Sequence, residues 1–255
     1  MSIRSGLFLF AAAIAAAQAP SDLATKADEQ IKASGIHGSV LIAKGGKVIL
    51  ARGYGLADIE LDVPNKPETK FRLGSITKQF TSAAILQLQE RGKLKVTDLI
   101  SKYLSDTPAA WSAITIEHLL THTSGIHSYT DGPSYVQHMR DTSGSPADFI
   151  KRVYALPLDF APGTKFHYDN SGYYLLGVIV EKVSGMKYED YLRKNIFDPL
   201  EMNDTGYDWP ETILKNRASG YAKGKDGKEH NAEFLDMGQP YAAGSLYSTV
   251  LDMYK

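Results

Sequence analysis

Two β-rich runs, Ser39-Val-Leu-Ile-Ala43 and Lys47-Val-Ile-Leu-Ala51, face each other across Gly45-Gly46. Branched side chains suit a pleated strand, and paired glycines supply the positive φ of a tight turn, so the pattern predicts a hairpin. This constrains the chain, because a lone hairpin is marginal in water and needs more strands or a helix beside it. A helix is predicted just before it, from about Ser21 to Ser34, with Leu23, Ala27 and Ile31 four residues apart. Few other strands are evident. Asp62 to Lys70, with Pro64 and Pro67, reads as a loop. From Leu94 to about Leu200 the pattern is mostly helical, broken at Pro108, Gly125, Gly132-Pro133, Gly144 to Pro146 and Pro162-Gly163. Residues 201–240 are polar and turn-rich. Tyr241 to Tyr247 is β-compatible, and Thr249 to Lys255 reads as a helix start.

The 255 residues suffice for a sizeable core, as one large domain or two small ones. The formal charge is −1 and no basic stripe stands out, which argues against a nucleic-acid partner. There is no cysteine, so disulfides, Cys-based metal sites and a lipoprotein anchor are excluded. Arg4 precedes an apolar run from Leu7 to Ala17, and Ala17-Gln18-Ala19 is a small-residue cleavage pattern. The run is short for a membrane span. Residues 1–19 are therefore read as a secretory signal peptide, implying a periplasmic or secreted bacterial protein with no stable span after cleavage. Ala15-Ala16-Ala17 is a competing cleavage site, and a retained anchor is the alternative reading.

Ser75-Ile76-Thr77-Lys78 carries the chemistry. A serine and a lysine three apart share one face of a helix, and a serine hydroxyl needs a neighbouring base to become a nucleophile. About one such spacing is expected by chance in a chain of this length, and Ser184-Gly185-Met186-Lys187 also fits. Position separates the two. Ser184 follows the apolar run Tyr173 to Val183, where Gly185 should end a helix in the left-handed conformation. Ser75 instead opens one: Ile76, Phe80, Ala84 and Leu88 recur at four-residue steps until Gly92. The N–H groups and positive dipole of a helix start favour an alkoxide and an oxyanion, and the same field with burial depresses the Lys78 pKa. On its own, Ser75 reads equally well as an N-cap.

A second group is Tyr168-Asp169-Asn170-Ser171-Gly172, which follows Ala161 to Phe166 and opens another helix. A tyrosine there can hold its hydroxyl against a neighbouring site, and the amide can bind a carbonyl or orient a lysine. The plain alternative makes Asn170 or Ser171 an N-cap and Tyr168 a half-buried aromatic.

Taken in order, these segments resemble the serine β-lactamase and penicillin-binding-protein superfamily, especially class C β-lactamase-like serine hydrolases. Phe71 to Lys78 looks like the nucleophile segment, Leu119 to Ile126 the central segment, and Tyr168-Asp169-Asn170 the Tyr-x-Asn motif. Ile196 to Met202 and Ala243 to Thr249 look like two more. The resemblance implies an α+β, β-lactamase/DD-peptidase-like fold: an all-α domain packed on a sandwich of antiparallel sheet and helices. Residues 20–72 would begin the α/β domain, 73–200 the helical domain, and 201–255 the return. It also implies catalysis by Ser75, Lys78 and Tyr168, with Asn170 holding substrate and the Ser75 N–H as one oxyanion donor. Ser75 would be acylated by a small-molecule ester, peptide or β-lactam, with no cofactor or metal. An esterase or D-amino-acid peptidase is favoured over a dedicated β-lactamase. A non-catalytic penicillin- or peptidoglycan-binding relative is the second reading. The sequence is silent on oligomeric state.

Two departures stand out. Asp169 occupies a position where serine is more usual, and is expected to face solvent. The Lys-Thr-Gly or His-x-Gly strand that supplies the second oxyanion N–H does not follow Tyr247. Losing one such donor costs on the order of 10²–10³ in turnover, so the resemblance implies a C-terminally truncated sequence with an incomplete sheet. Other constellations are weaker. His118, His122 and His127 lack a carboxylate at ligand spacing, and structural or solvated roles are the default; the alternative role for His122 is a local hydrogen bond that holds the loop after Thr121. His167 should point away from Tyr168 by alternation. No G-x-S-x-G elbow surrounds any serine, and Lys44-Gly45-Gly46-Lys47 lacks the phosphate-loop spacing.

Overall fold

The Gly45-Gly46 hairpin forms as its residues dictate. The structure is a computed structural model that describes residues 22–132 and 146–255. The predicted leader and the breaks at Pro133 and Gly144 lie outside the described residues. Strand β1 (Gly38–Lys44) pairs antiparallel with β2 (Lys47–Tyr54), with a bulge between Ile42 and Ala43. Gly45 and Gly46 take φ of 57° and 74°. Helix α1 (Asp22–Ala33) packs on β2, but Leu23 is exposed and the inward face is Ala24, Ala27, Asp28 and Ile31. Asp28 ties that face to β2: its carboxylate accepts from Arg52 Nη1 at 2.7 Å and from the Tyr54 hydroxyl at 2.8 Å.

The remaining strands are short. β3 (Leu56–Asp58) pairs with β4 (Val63–Pro64), inside the predicted loop. β5 (Phe71–Arg72), β6 (Gly206–Tyr207) and β9 (Leu246–Ser248) form one antiparallel sheet with β9 in the centre, while β7 (Tyr221–Lys223) and β8 (Glu229–Asn231) form a hairpin. Strands of two or three residues are too short for an alternating pattern to register. Tyr241–Ala243 is a 3₁₀ turn rather than extended chain, and β9 follows it.

The helical block is less helical than expected. Between Leu94 and Ile116 there are only 3₁₀ turns, at Ile100–Lys102 and Ala109–Trp111. Leu94, Ile100, Leu104, Trp111 and Ile114 of that stretch are buried in a loop packed into the core, so their hydrophobicity reflects burial rather than helical period. Among the described residues the helices after α1 are α2 (Thr77–Glu90), α3 (Ile116–Leu120), α4 (Pro146–Tyr154), α5 (Asn170–Ser184), α6 (Tyr188–Leu192) and α7 (Val250–Met253). The last begins where a helix start was expected, with Thr249 as its N-cap. Helix α5 is buried at every residue from Ser171 to Val180, as expected of a helix apolar on all sides. Its Leu175, Leu176 and Ile179 meet Phe80, Ala84, Ile85 and Leu88 of α2 in one core. It ends at Ser184 with Gly185 at φ 70°, so the second Ser-x-x-Lys spacing is a helix terminus. Leu176 has no exposed surface; Leu176→Ala is expected to destabilise the protein by about 2–5 kcal/mol, read as a lower urea midpoint at unchanged slope.

Candidate active site

The packing of α2 against α5 brings two distant segments together. Ser75 lies not in the helix itself but in a 3₁₀ turn, Gly74–Ile76, just ahead of α2. Ile76 is therefore half-exposed, and only Phe80, Ala84 and Leu88 of its predicted stripe are buried. The turn is stitched to the start of β9: Leu73 N–H donates to Leu246 O at 2.8 Å, and Leu246 N–H to Thr77 Oγ1 at 3.2 Å. Inside α2, Thr81 Oγ1 donates to Ala242 O at 2.7 Å.

Four side chains meet at this point. Lys78 Nζ lies 3.2 Å from Ser75 Oγ, 2.7 Å from Asn170 Oδ1 and 2.8 Å from the Ala243 carbonyl oxygen. Tyr168 donates its hydroxyl to Ser75 Oγ at 2.6 Å. The amine also sits over the Tyr168 and Tyr173 rings, at 4.8 and 5.4 Å from their centroids. Burial lowers the Lys78 pKa below that of a free lysine, against the raising effects of Tyr168 and the Asp169 charge. The arrangement therefore favours a neutral amine more than open solvent does.

Asn170 is cradled from the loop after α3. Its side-chain amide donates to Thr130 Oγ1 at 3.0 Å and its backbone N–H to Ser128 Oγ at 3.1 Å. The N-cap of α5 is neither Asn170 nor Ser171 but Asp169, whose carboxylate accepts from Gly172 N–H at 3.0 Å. Asp169 is thus buried, 2% exposed, rather than facing solvent. Capping demands it: the side chain must fold back over the first turn. Burial pushes its pKa up to about 7, although the N–H groups of Gly172 and Ser171 and the Ser124 hydroxyl hold it down in part.

The three histidines singled out in sequence do separate work. His118 caps α3 reciprocally with Thr115. His127 Nδ1 is 3.0 Å from Asp159. His122, at φ 57°, accepts from the Asp169 N–H on its Nδ1 at 3.0 Å. His167 engages Asp131 and Asp159 at 3.5 and 3.8 Å. Sequence reasoning missed the Ala243 carbonyl, the Ser128 and Thr130 cradle and the direct hold of His122 on the Tyr168 segment. A backbone oxygen leaves no trace in residue type, and hydroxyls in a loop are common.

Fold and site together define a class: an α+β protein whose buried lysine and distant tyrosine both hydrogen-bond one serine at the head of a core helix. The chain belongs to the beta-lactamase family, whose profile matches residues 22–255. It is 31% identical to the teichoic acid D-alanine hydrolase of Staphylococcus aureus over 231 residues, covering 90% of this chain and 55% of that one. Among solved structures it is similar to the octameric penicillin-binding protein homologue from Pyrococcus abyssi. That match has 34% identity and a TM-score of 0.77, over 92% of this chain and 55% of that chain. A D-amino acid amidase from Ochrobactrum anthropi matches at 26% identity and TM-score 0.79, over 91% and 68%. The expected β-lactamase/DD-peptidase-like fold is the one these neighbours share. The chain spans about half the length of curated relatives it matches, 56% and 55% for two of them. Among the described residues no helix is long and apolar enough to cross a membrane.

Proposed function

We propose that this protein is an exported serine hydrolase that cleaves ester or amide bonds through an acyl-enzyme on Ser75. The observation that carries the reading is the convergence on Ser75 Oγ of the Tyr168 phenol at 2.6 Å and the Lys78 amine at 3.2 Å. A neutral amine has two N–H groups and one lone pair. Asn170 Oδ1 and Ala243 O, the two nearer partners, take the N–H groups, which leaves the lone pair for the serine proton. Lys78 is then the base for acylation. Ser75 Oγ attacks the carbonyl carbon as its proton passes to Lys78 Nζ. The tetrahedral oxyanion is met by the Ser75 N–H, and collapse breaks the bond to the leaving group, which takes its proton from Tyr168. The phenolate is reprotonated from Lys78, so charge does not accumulate. Water then hydrolyses the acyl group by the reverse sequence. Asn170 orients Lys78 through Oδ1, and the Nδ2 hydrogen not given to Thr130 is the one left to hold substrate.

The substrate class best supported is a D-aminoacyl ester or amide, because similar proteins are named for D-alanine hydrolysis from teichoic acid and for D-amino acid amide cleavage. Export rests on Arg4 and the apolar run Leu7 to Ala17. The test compares the protein with Ser75→Ala on a chromogenic ester, a cephalosporin and a D-alanyl-D-alanine peptide, with intact mass reporting the acyl-enzyme. Turnover of the ester or peptide is expected, falling at least about 10³-fold in the variant. Equal turnover by both proteins would remove Ser75 from the mechanism. Acylation by the cephalosporin without turnover of any substrate would leave a ligand-binding relative.

A further inference from the structure

His122 grips three consecutive residues of the segment that carries the phenol. Its carbonyl oxygen accepts from His167 N–H at 2.9 Å. Its ring lies against Tyr168, with centroids 4.6 Å apart and planes 31° apart. Its Nδ1 accepts from Asp169 N–H at 3.0 Å. The ring also meets Tyr173, with centroids 5.0 Å apart, and Phe166, near-perpendicular at 5.9 Å. The backbone at His122 is left-handed, φ 57°, a conformation that non-glycine residues hold only when their surroundings require it.

We infer that His122 is a positioning residue for Tyr168: its unprotonated Nδ1, by accepting from the Asp169 N–H, fixes the backbone that aims the phenol at Ser75 Oγ. The inference rests on the Ser75 hydrolase reading. The geometry gives the reason for an imidazole. The Tyr168 side chain leaves the backbone one residue before the anchored N–H, and its hydroxyl must stay within hydrogen-bond reach of the Ser75 oxygen in the turn ahead of α2. A segment anchored at its backbone on both sides of the tyrosine, at His167 and at Asp169, leaves the phenol only its own side-chain torsions. A displacement of about 1 Å at a reacting group can cost on the order of 10² in rate.

The anchor also requires the ring to stay neutral, because a protonated Nδ1 becomes a donor facing a donor. Burial and the neighbouring charge of Lys78 hold the His122 pKa down to about 4. The charged or titratable groups facing it are Lys78 from α2 and Tyr168, Asp169 and Tyr173 from the α5 segment. A folded-state value below the free one means that the folded protein binds fewer protons than the unfolded chain. The stability contribution of His122 is therefore complete above the free value of 6.5 and is lost as pH falls toward about 4.

The test separates the acceptor from the ring. In His122→Asn the Oδ1 replaces Nδ1 at the same three bonds from Cα, and asparagine tolerates positive φ. His122→Phe keeps an aromatic face and loses the acceptor. Expected is a kcat within about fivefold of the parent for His122→Asn, and a loss of about 10–100-fold in kcat with little change in KM for His122→Phe. In a Tyr168→Phe background the His122→Phe loss should vanish, since residues acting as a unit are non-additive. Amide exchange at Asp169 gives a readout that does not need turnover: protected in the parent and in His122→Asn, fast in His122→Phe. A kcat for His122→Phe equal to or above that of His122→Asn overturns the inference. So does an undiminished His122→Phe loss without the Tyr168 hydroxyl, or unchanged Asp169 exchange in all three proteins. Failure of the hydrolase reading looks different: the parent and Ser75→Ala then turn over alike, while Asp169 exchange still reports the anchor.

Discussion

Lys78→Met is expected to lower kcat by about 10²–10⁴-fold, the usual contribution of a positioned general base, while leaving a folded protein. Methionine keeps the unbranched length and volume that fill the space between Tyr168 and Tyr173. What it removes is the lone pair facing Ser75 Oγ and the two N–H donors that satisfy Asn170 Oδ1 and Ala243 O. Two acceptors then lose a partner, which costs about 1–3 kcal/mol each when water cannot replace it. In return, the desolvation that lowers the Lys78 pKa disappears. The net change in stability is expected to be small beside the change in rate. Far-ultraviolet circular dichroism and the thermal midpoint check the fold, and burst-phase acylation checks the chemistry. A Lys78→Met protein that acylates at the parent rate would exclude Lys78 as the base.

The pH profile carries the same argument with a sign. Activity should rise as Lys78 loses its proton, at a lower pH than for a free lysine, because burial lowers its pKa. The Asp169 carboxylate, which ionises at about 7, opposes that shift when charged. Asp169→Asn keeps an N-cap of equal quality and removes the charge. The activity limb of Asp169→Asn should therefore move to lower pH. A limb that moves to higher pH, or does not move, would mean that Asp169 does not act on Lys78.

The second large effect is on stability. Gly125→Ala is expected to cost about 2–5 kcal/mol, combining strain at a left-handed backbone position with overpacking against main chain. Gly125 has φ 76°, and a Cβ there would lie 2.1 Å from the Phe160 carbonyl oxygen. That oxygen cannot swing aside, because the two segments are tied around it. Asp159 N–H donates to Gly125 O, and Gly163 N–H to Thr123 O, each at 2.8 Å. The damage would reach the site from both directions, since one segment begins with His122 and the other runs on to Tyr168. Gly35→Ala is the control. Its φ is also positive, at 67°, but nothing lies within 4 Å of a Cβ there, so only the backbone strain of about 1–2 kcal/mol applies. Similar unfolding midpoints for the two variants would show that the Phe160 contact costs nothing.

Local rules made part of this protein legible. The hairpin was readable because paired glycines and branched residues act within a few positions of one another. So was the end of α5 at Gly185, since a left-handed cap is a property of one residue. Ser75 and Lys78 could be paired because three residues of helical rise fix their distance whatever surrounds them. Where tertiary packing competed with local pattern, packing won. In α1 Ala24 and Asp28 face β2 and Leu23 is left exposed, a buried loop took the place of helix between Leu94 and Ile116, and capping drew Asp169 inward.

The sequence by itself determined the Ser75 to Lys78 segment at the head of a helix, the hairpin, the long core helix and, through the order of its motifs, the family. Only the tertiary structure decided that Tyr168 and Asn170, 93 and 92 residues from Ser75 and Lys78, share one point with them. It alone decided that a carbonyl 165 residues from Lys78 completes the partners of its amine, and that His122 holds the phenol's backbone. The physical reason is that side-chain identity and periodicity act over a turn or two of chain. Distances between remote segments are set by how the faces of α2 and α5 fill one core, and backbone groups, identical in every residue, acquire a role only from where that packing puts them.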